Sequence, residues 1–338
     1  MTLTEHVLLV DVGADHPLRS TKAMSVAWTV FWAYIGVAAR VGLTEASTAI
    51  EATQAAPSIL TAMGVSFFLP NVFGCFIMGL AQPLKTQRLE AFWTGLTTGF
   101  CGCCTTFASW ELVLSQQYLG HMAVNATFMF FVQLTTSMAA FLGGRHLALL
   151  YNGTSAFEAR RRDVQAHAAA MATLEDADGK WRALAQALEA VAPAAADACS
   201  EPVGAATPFG LAAAATAVSI ALAAVYSGSY LAVAFGPPGA LLRYGLGLLL
   251  NRSKTFPVGT FAANVLASVI DAVAVLAMPA SASGAVWVEK ALMTGFCGSL
   301  STVSSWINEI HSMPTSSVGY IAGTHIATQT AVLLLLGT

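Results

Sequence analysis

Apolar runs of about 20 residues, each long enough for a hydrocarbon core roughly 30 Å thick, recur nine times in this sequence. They fall at 24–43, 59–80, 91–110, 119–143, 208–226, 229–250, 256–277, 288–308 and 316–337. In lipid every backbone N–H and C=O needs a partner within the chain, so runs of this length imply spanning helices. Only 10% of residues are charged, against roughly 25% in soluble domains, and the mean hydropathy is +0.66. A net charge of -3 offers no basic surface for nucleic acid. The first 23 residues are polar, with neither an apolar core nor a cleavage site. The first span is therefore expected to remain as an anchor.

Basic residues orient the spans, because Lys and Arg accumulate in cytoplasmic loops. Arg19 and Lys22 precede span one, Lys85 and Arg88 follow span two, Arg145 and Arg160 to Arg162 follow span four, and Arg252 and Lys254 follow span six. Loops on the other side carry almost none, Lys290 excepted. This predicts a cytosolic N-terminus and an extracellular C-terminus. The expected organisation is a cytosolic tail (1–23), a first four-span repeat (24–150), a cytosolic polar helical linker (151–207), a linking transmembrane helix (208–226) and a second four-span repeat (227–338).

The two units echo each other. "GFCGCCTTFASW" (Gly99–Trp110) and "GFCGSLSTVSSW" (Gly295–Trp306) share Gly-Phe-Cys-Gly, a Thr and Ser-Trp in register. "GVAARV" from Gly36 matches "GALLRY" from Gly239, and "NVFGCFIMG" from Asn71 matches "NVLASVIDA" from Asn264. A single connecting span between four-span units turns the second over relative to the first. Such inverted repeats place a transport site near the membrane midplane. Of the cysteines in the first motif only Cys101 recurs, as Cys297, while Cys103 and Cys104 meet Ser299 and Leu300. A metal site would keep several ligands, so these thiols read as small packing residues.

Gly-Phe-Cys-Gly in mid-span reads either as a helix weak point, since glycine costs about 1 kcal/mol relative to alanine, or as a close-packing surface. The paired copies favour a break, whose freed carbonyls would converge from both halves and suit a small cation. Arg40 and Arg243 lie inside spans, where a charge is expensive and is a functional candidate by default; they suggest an anion-attracting vestibule at each face. Asn71 and Asn264 offer amide N–H donors. Phe107, Trp110 and Trp306 offer electropositive ring edges, and Tyr320, Thr324 and Thr328 share one helical face. Asp271 and His325 are also intramembrane; a basic partner for Asp271 is the only role suggested for either.

These residues together resemble the CrcB-like fluoride channel/exporter family, in the eukaryotic form with two channel units fused through a linking span. The signatures are "GPPGALLRY" (Gly236–Tyr244), "GTFAANVLAS" (Gly259–Ser268) and the two Gly-Phe-Cys-Gly stretches. The resemblance implies an all-α membrane protein of nine spans, an antiparallel pseudo-dimer of two inverted four-helix repeats within a monomer, with fluoride as its ion. It implies a fluoride pathway through Asn71, Asn264, Phe107, Trp110, Trp306, Thr260, Tyr320, Thr324 and Thr328. It also implies a central Na+ held by backbone carbonyls at Gly102, Thr105, Gly298 and Ser301, no organic cofactor, and residence in the plasma membrane. Departures from the family pattern are Val303 and the two tryptophans in place of phenylalanines, Ser66-Phe67 in place of the Gly259-Thr260 pair, Pro70 before Asn71, and a fourth helix without a hydroxyl track in the first unit. If each pathway draws its aromatics from opposite units, one pairs Phe107 with Trp306 and the other Val303 with Trp110; the first is expected to conduct and the second to be degenerate.

The chain carries no Gly-rich phosphate loop and no chain of acidic groups for proton coupling. A passive channel, not an enzyme, is therefore the expected function. The alternatives are a coupled secondary transporter of another small anion on the same scaffold, and a thiol enzyme built on the cysteine cluster.

Overall fold

The structure, a computed structural model, describes residues 17–53, 67–85, 89–172, 206–225, 228–313 and 315–337. Among these residues there are helices and short connections and no strand. In chain order the helices are α1 (Pro17–Ala52), α2 (Phe68–Ala81), α3 (90–104), α4 (Ala108–Leu119), α5 (Ala123–Ala172), α6 (Thr207–Val225), α7 (Ser229–Leu250), α8 (Val258–Leu276), α9 (282–300), α10 (Ser304–Ser312) and α11 (Ser317–Leu336). Six of them, α1, α5, α6, α7, α8 and α11, are long and apolar enough to cross a membrane unbroken. The apolar stretch Phe68–Leu84 is shorter. It begins well inside the expected span 59–80, whose residues 59–66 lie outside the described part.

Two boundaries differ from expectation. The expected spans 91–110 and 288–308 are not continuous helices: α3 is followed by a break and α4, and α9 by a break and α10. The expected division at residue 150 is absent, because α5 runs unbroken from Ala123 to Ala172. At 1.5 Å per residue its 50 residues reach about 75 Å, far beyond a bilayer core. The Ala-, Glu- and Arg-rich sequence after residue 150 has high helix propensity and no Pro or Gly stop between Ser155 and Ala172, so the helix continues. Residues 173–205 of the expected linker and the tail before Pro17 lie outside the described residues.

Packing is paired. α1 lies along α3 and α7 along α9, while α1 also touches α7. α2 packs on α5, and α8 on both α11 and α4. α6 rests on α1, where Tyr34 donates to Thr216 Oγ1 at 3.1 Å, and is otherwise largely exposed, as a helix facing lipid would be. The largest apolar core gathers Phe67, Phe107, Trp110, Phe130, Val303, Trp306 and Tyr320 around the two breaks.

Candidate functional site at the paired helix breaks

The glycine motifs do not themselves break the helices. Gly95–Cys101 and Trp287–Cys297 are wound as π-helix, and the chain leaves the helix three residues past Gly102 and Gly298, at Thr105 (ψ 151°) and Ser301 (ψ 161°). The glycines serve close approach. A Cβ on Gly99 would lie 2.6 Å from the Thr29 carbonyl oxygen, and one on Gly295 would lie 2.8 Å from that of Ala232. The packing reading was right for the glycines, and the break belongs to the hydroxyl residues that follow.

Each break is built by the same bonds. Asn71 Nδ2 donates to the Thr106 carbonyl at 3.1 Å and Asn71 Oδ1 accepts from Thr106 N at 2.8 Å. Asn264 does the same for Thr302, at 3.1 and 2.8 Å. Both asparagines are fully buried, and each keeps one amide hydrogen uncommitted to this pair. They therefore act first as splints of the broken segment, a role that the sequence did not suggest.

The two halves then cap each other. Thr105 Oγ1 accepts from the backbone N–H of Val303 and Ser304 at 3.2 and 3.1 Å. Ser301 Oγ accepts from Phe107 N and Ala108 N at 3.2 and 3.1 Å. Each hydroxyl thus does for the helix of the opposite half what an N-cap side chain does locally. Thr106 and Thr302 supply the local cap, accepting from Ser109 N and Ser305 N at 3.3 Å each.

This diversion of donors isolates four carbonyls. In a continued helix Thr106 N would bond Gly102 O and Ser109 N would bond Thr105 O; both donate elsewhere. The same holds for Gly298 and Ser301, whose donors Thr302 N and Ser305 N are likewise turned away. The carbonyl ends of α3 and α9 also touch one another. Two helix C-termini, each the negative end of its own helix dipole, thus meet at the centre.

Arg40 and Arg243 each reach into the opposite half. Arg40 Nη2 donates to Thr294 O at 2.5 Å and Arg243 Nη2 to Thr98 O at 2.7 Å. Those acceptors lie in the π-helical segments, where altered winding leaves carbonyls available. Arg243 Nε also donates to Ser299 O at 3.0 Å. A side chain on Gly102 would collide with the Arg243 guanidinium, and one on Gly298 with that of Arg40. Each arginine also lines a cavity. Arg40 shares one of about 180 Å³ with Thr106, Ser109 and Lys290; Arg243 shares one of about 260 Å³ with Lys85, Thr260, Asn308 and Glu309.

The aromatics gather at the same two breaks. Phe107 and Trp306 meet edge to face with centroids 5.3 Å apart, and Phe107 also meets Trp110 at 5.7 Å. Phe107, Trp110 and Trp306, expected on two separate routes, thus form one connected cluster that Val303 also joins. Trp306 Nε1 donates to Thr324 Oγ1 at 3.4 Å, whereas Trp110 stacks on Phe130 at 5.2 Å and its indole nitrogen has no hydrogen-bond partner among the described residues. Tyr320, Thr324 and Thr328 are buried along one face of α11. The threonine hydroxyls donate to the backbone one turn earlier, at 2.7 and 2.8 Å. Tyr320 and Thr260 both donate to Glu309, at 2.7 and 2.6 Å, and Thr260 and Glu309 line the cavity of Arg243.

Glu309, and Glu111 on α4, were missed from the sequence. Each acid falls one residue past the end of an expected span, Glu111 after 91–110 and Glu309 after 288–308, so the span bounds left both outside the intramembrane candidates. Asp271 is buried and, among the described residues, in no ion pair; Arg40 acts on it through the electrostatic field without direct contact. Cys101, Cys103 and Cys104 are buried within the packed break.

Comparison with known proteins identifies relatives by sequence. "Fluoride export protein 2" of Saccharomyces cerevisiae is 25% identical, with 88% of each chain covered, and "Fluoride export protein 1" of the same yeast is 24% identical with the same coverage. "Fluoride-specific ion channel FluC" of Albidiferax ferrireducens is 40% identical over 87 residues, covering 25% of this chain and 66% of its own. No solved structure matches the chain significantly. The family model for CrcB-like protein, Camphor Resistance, matches twice, over residues 27–145 and 230–338, once for each half that contributes a break. The chain belongs to the CrcB-like protein family.

Proposed function

We propose that this protein is a passive fluoride channel that exports the ion from the cytosol and so confers fluoride resistance. The observation that carries the reading is the buried Phe107–Trp306–Thr324 contact at the paired breaks, whose hydroxyl residues line the two arginine cavities, Thr106 and Ser109 beside Arg40 and Ser305 beside Arg243. The names borne by relatives that cover 88% of the chain supply the ion. Fluoride leaves with the help of about 2.3 kcal/mol per 100 mV of inside-negative potential. The guanidinium edges of Arg243 and Arg40 draw the anion to the mouths. Ring edges, which are electropositive, and the uncommitted amide hydrogens of Asn71 and Asn264 replace its water. Thr324 and Thr328 contribute by rotating their hydroxyls away from the backbone carbonyls. Such weak, multiple ligands let the ion enter and leave.

The architecture in this reading is two inverted four-helix repeats of nine spans in all, with α6 as the linking helix, forming an antiparallel pseudo-dimer within a monomer. Its support is the equivalence of bonds at the two breaks: the asparagine splints match to a tenth of an ångström. The charge pattern supports a cytosolic N-terminus and an outside C-terminus, and export of fluoride from the cytosol suits residence in the plasma membrane. One route, through Phe107 and Trp306, conducts. At the other, Trp110 is stacked on Phe130 where Trp306 instead meets Thr324, and Val303 supplies no ring. The carbonyls of Gly102, Thr105, Gly298 and Ser301, freed of their helical donors, fit a central Na+. Such an ion supplies positive charge between the two helix ends.

Fluoride efflux from liposomes holding the purified protein tests the reading. The wild type is expected to empty them electrogenically with no cation or proton gradient, and the Asn71→Ala and Asn264→Ala variants to slow or abolish efflux. Efflux that requires a second gradient, or wild-type efflux no faster than from empty vesicles, overturns it.

A further inference from the structure

One buried polar cluster stands apart from the breaks, the arginines and the hydroxyl face. Glu111, on α4, is fully buried, and its two carboxylate oxygens lie 2.9 and 3.0 Å from His325 Nδ1 on α11. Gln329 Nε2 donates to Glu111 Oε2 at 2.7 Å and to the Glu111 carbonyl at 3.0 Å. Ser115 Oγ donates to Gln329 Oε1 at 2.8 Å. Glu111 and Ser115 are one turn apart on α4, and His325 and Gln329 one turn apart on α11. Two facing i, i+4 pairs thus join a helix of the first half to a helix of the second.

The register of this cluster relates it to conduction. Glu111 follows Trp110, His325 follows Thr324 and Gln329 follows Thr328. One residue is about 100° around a helix, so these three clamp side chains leave the backbone beside a pathway side chain but face the neighbouring helix. The cluster also touches the aromatic core directly: the His325 ring lies on Phe130, with centroids 4.0 Å apart, and Phe130 lies on Trp110. The second half has no copy of the clamp's anchor, for the motif places Ile307 opposite Glu111 in register.

We propose that Glu111, Ser115, His325 and Gln329 are positioning residues for fluoride conduction. They lock the axial offset between α4, which carries Phe107, and α11, which carries Thr324 and Thr328. A buried carboxylate in a membrane persists only where it is bonded, and a fixed polar network specifies register where apolar surfaces would slide. A slip of one residue, about 1.5 Å, would break these bonds and move the hydroxyls along the ring edges. The inference rests on the fluoride-channel reading above.

The test uses full-length protein at low density in liposomes, where the fraction of vesicles that empty counts assembled channels and the emptying rate reports each channel. The variants are His325→Leu, Gln329→Leu, Glu111→Gln and the exchange Glu111→His with His325→Glu. The Leu variants are expected to empty a normal fraction of vesicles at least about tenfold more slowly, the effect of losing one hydrogen bond to a charged group. The exchange is expected to recover part of the rate, and Glu111→Gln to fall between. If the variants lower only the fraction emptied, or give no assembled protein, the cluster acts on folding and the positioning role is wrong. Unchanged rates in assembled variants refute it equally. A wild type that carries no fluoride would instead sink the channel reading itself.

Discussion

Replacing Ser301 by alanine probes the reciprocal caps with little change of volume. Its hydroxyl accepts from Phe107 N and Ala108 N of the other half, and both of those residues are fully buried. Two limits bracket the cost. Interhelical hydrogen bonds in membranes average about 0.6 kcal/mol, so two ordinary bonds would be worth about 1.2 kcal/mol. A buried donor left unsatisfied costs about 1–3 kcal/mol, so two stranded donors would cost about 2–6 kcal/mol. Burial of the whole break selects the upper range. Thermal unfolding in detergent, followed by tryptophan fluorescence, should show Ser301→Ala melting several degrees below the wild type, at about 2–4 °C per kcal/mol for a large domain. Ser301→Thr should retain most of the stability, and Ser312→Ala, whose exposed hydroxyl only bonds its own helix, should match the wild type. Because Phe107 N is one of the stranded groups, fluoride efflux should fall with stability. A Ser301→Ala protein as stable as Ser312→Ala would refute the cross-cap argument.

Two further outcomes follow from the geometry. Gly99→Ala and Gly295→Ala each drive a methyl into a backbone carbonyl across a helix pair; overpacking of this kind costs about 1–3 kcal/mol, while Gly143→Ala, with open space around it, should stabilise α5 by up to about 1 kcal/mol, all read from melting temperature. If Phe107 with Trp306 forms the conducting pair, Phe107→Ile should abolish efflux and Val303→Phe should leave it intact, and the reverse pattern would assign conduction to the other route.

Six of the expected spans were legible as unbroken helices because lipid leaves a continuous apolar run few options, and hydropathy along the chain records that directly. The duplicated arginines, asparagines and Gly-Phe-Cys-Gly stretches were legible because both copies kept them. Location of the break was not. Glycine looked like the weak point, yet Gly99 and Gly295 lie inside π-helix against a neighbouring backbone, and the chain turns at Thr105 and Ser301, where hydroxyls of the other half wait to cap it. Roles shifted for the same reason. Asn71 and Asn264 read as donors to an anion, but each amide first meets a backbone peptide 35 or 38 residues away.

The sequence by itself determined that this is a helical membrane protein of two matched halves, because hydrophobic period and residue identity are local properties. Which donors meet which acceptors was decided only in three dimensions. Thr105 caps Val303 and Ser304, Arg40 reaches Thr294 and Glu111 meets His325 across separations of nearly 200 residues or more. A polar group buried from water must find its partner in space, wherever in the chain that partner lies.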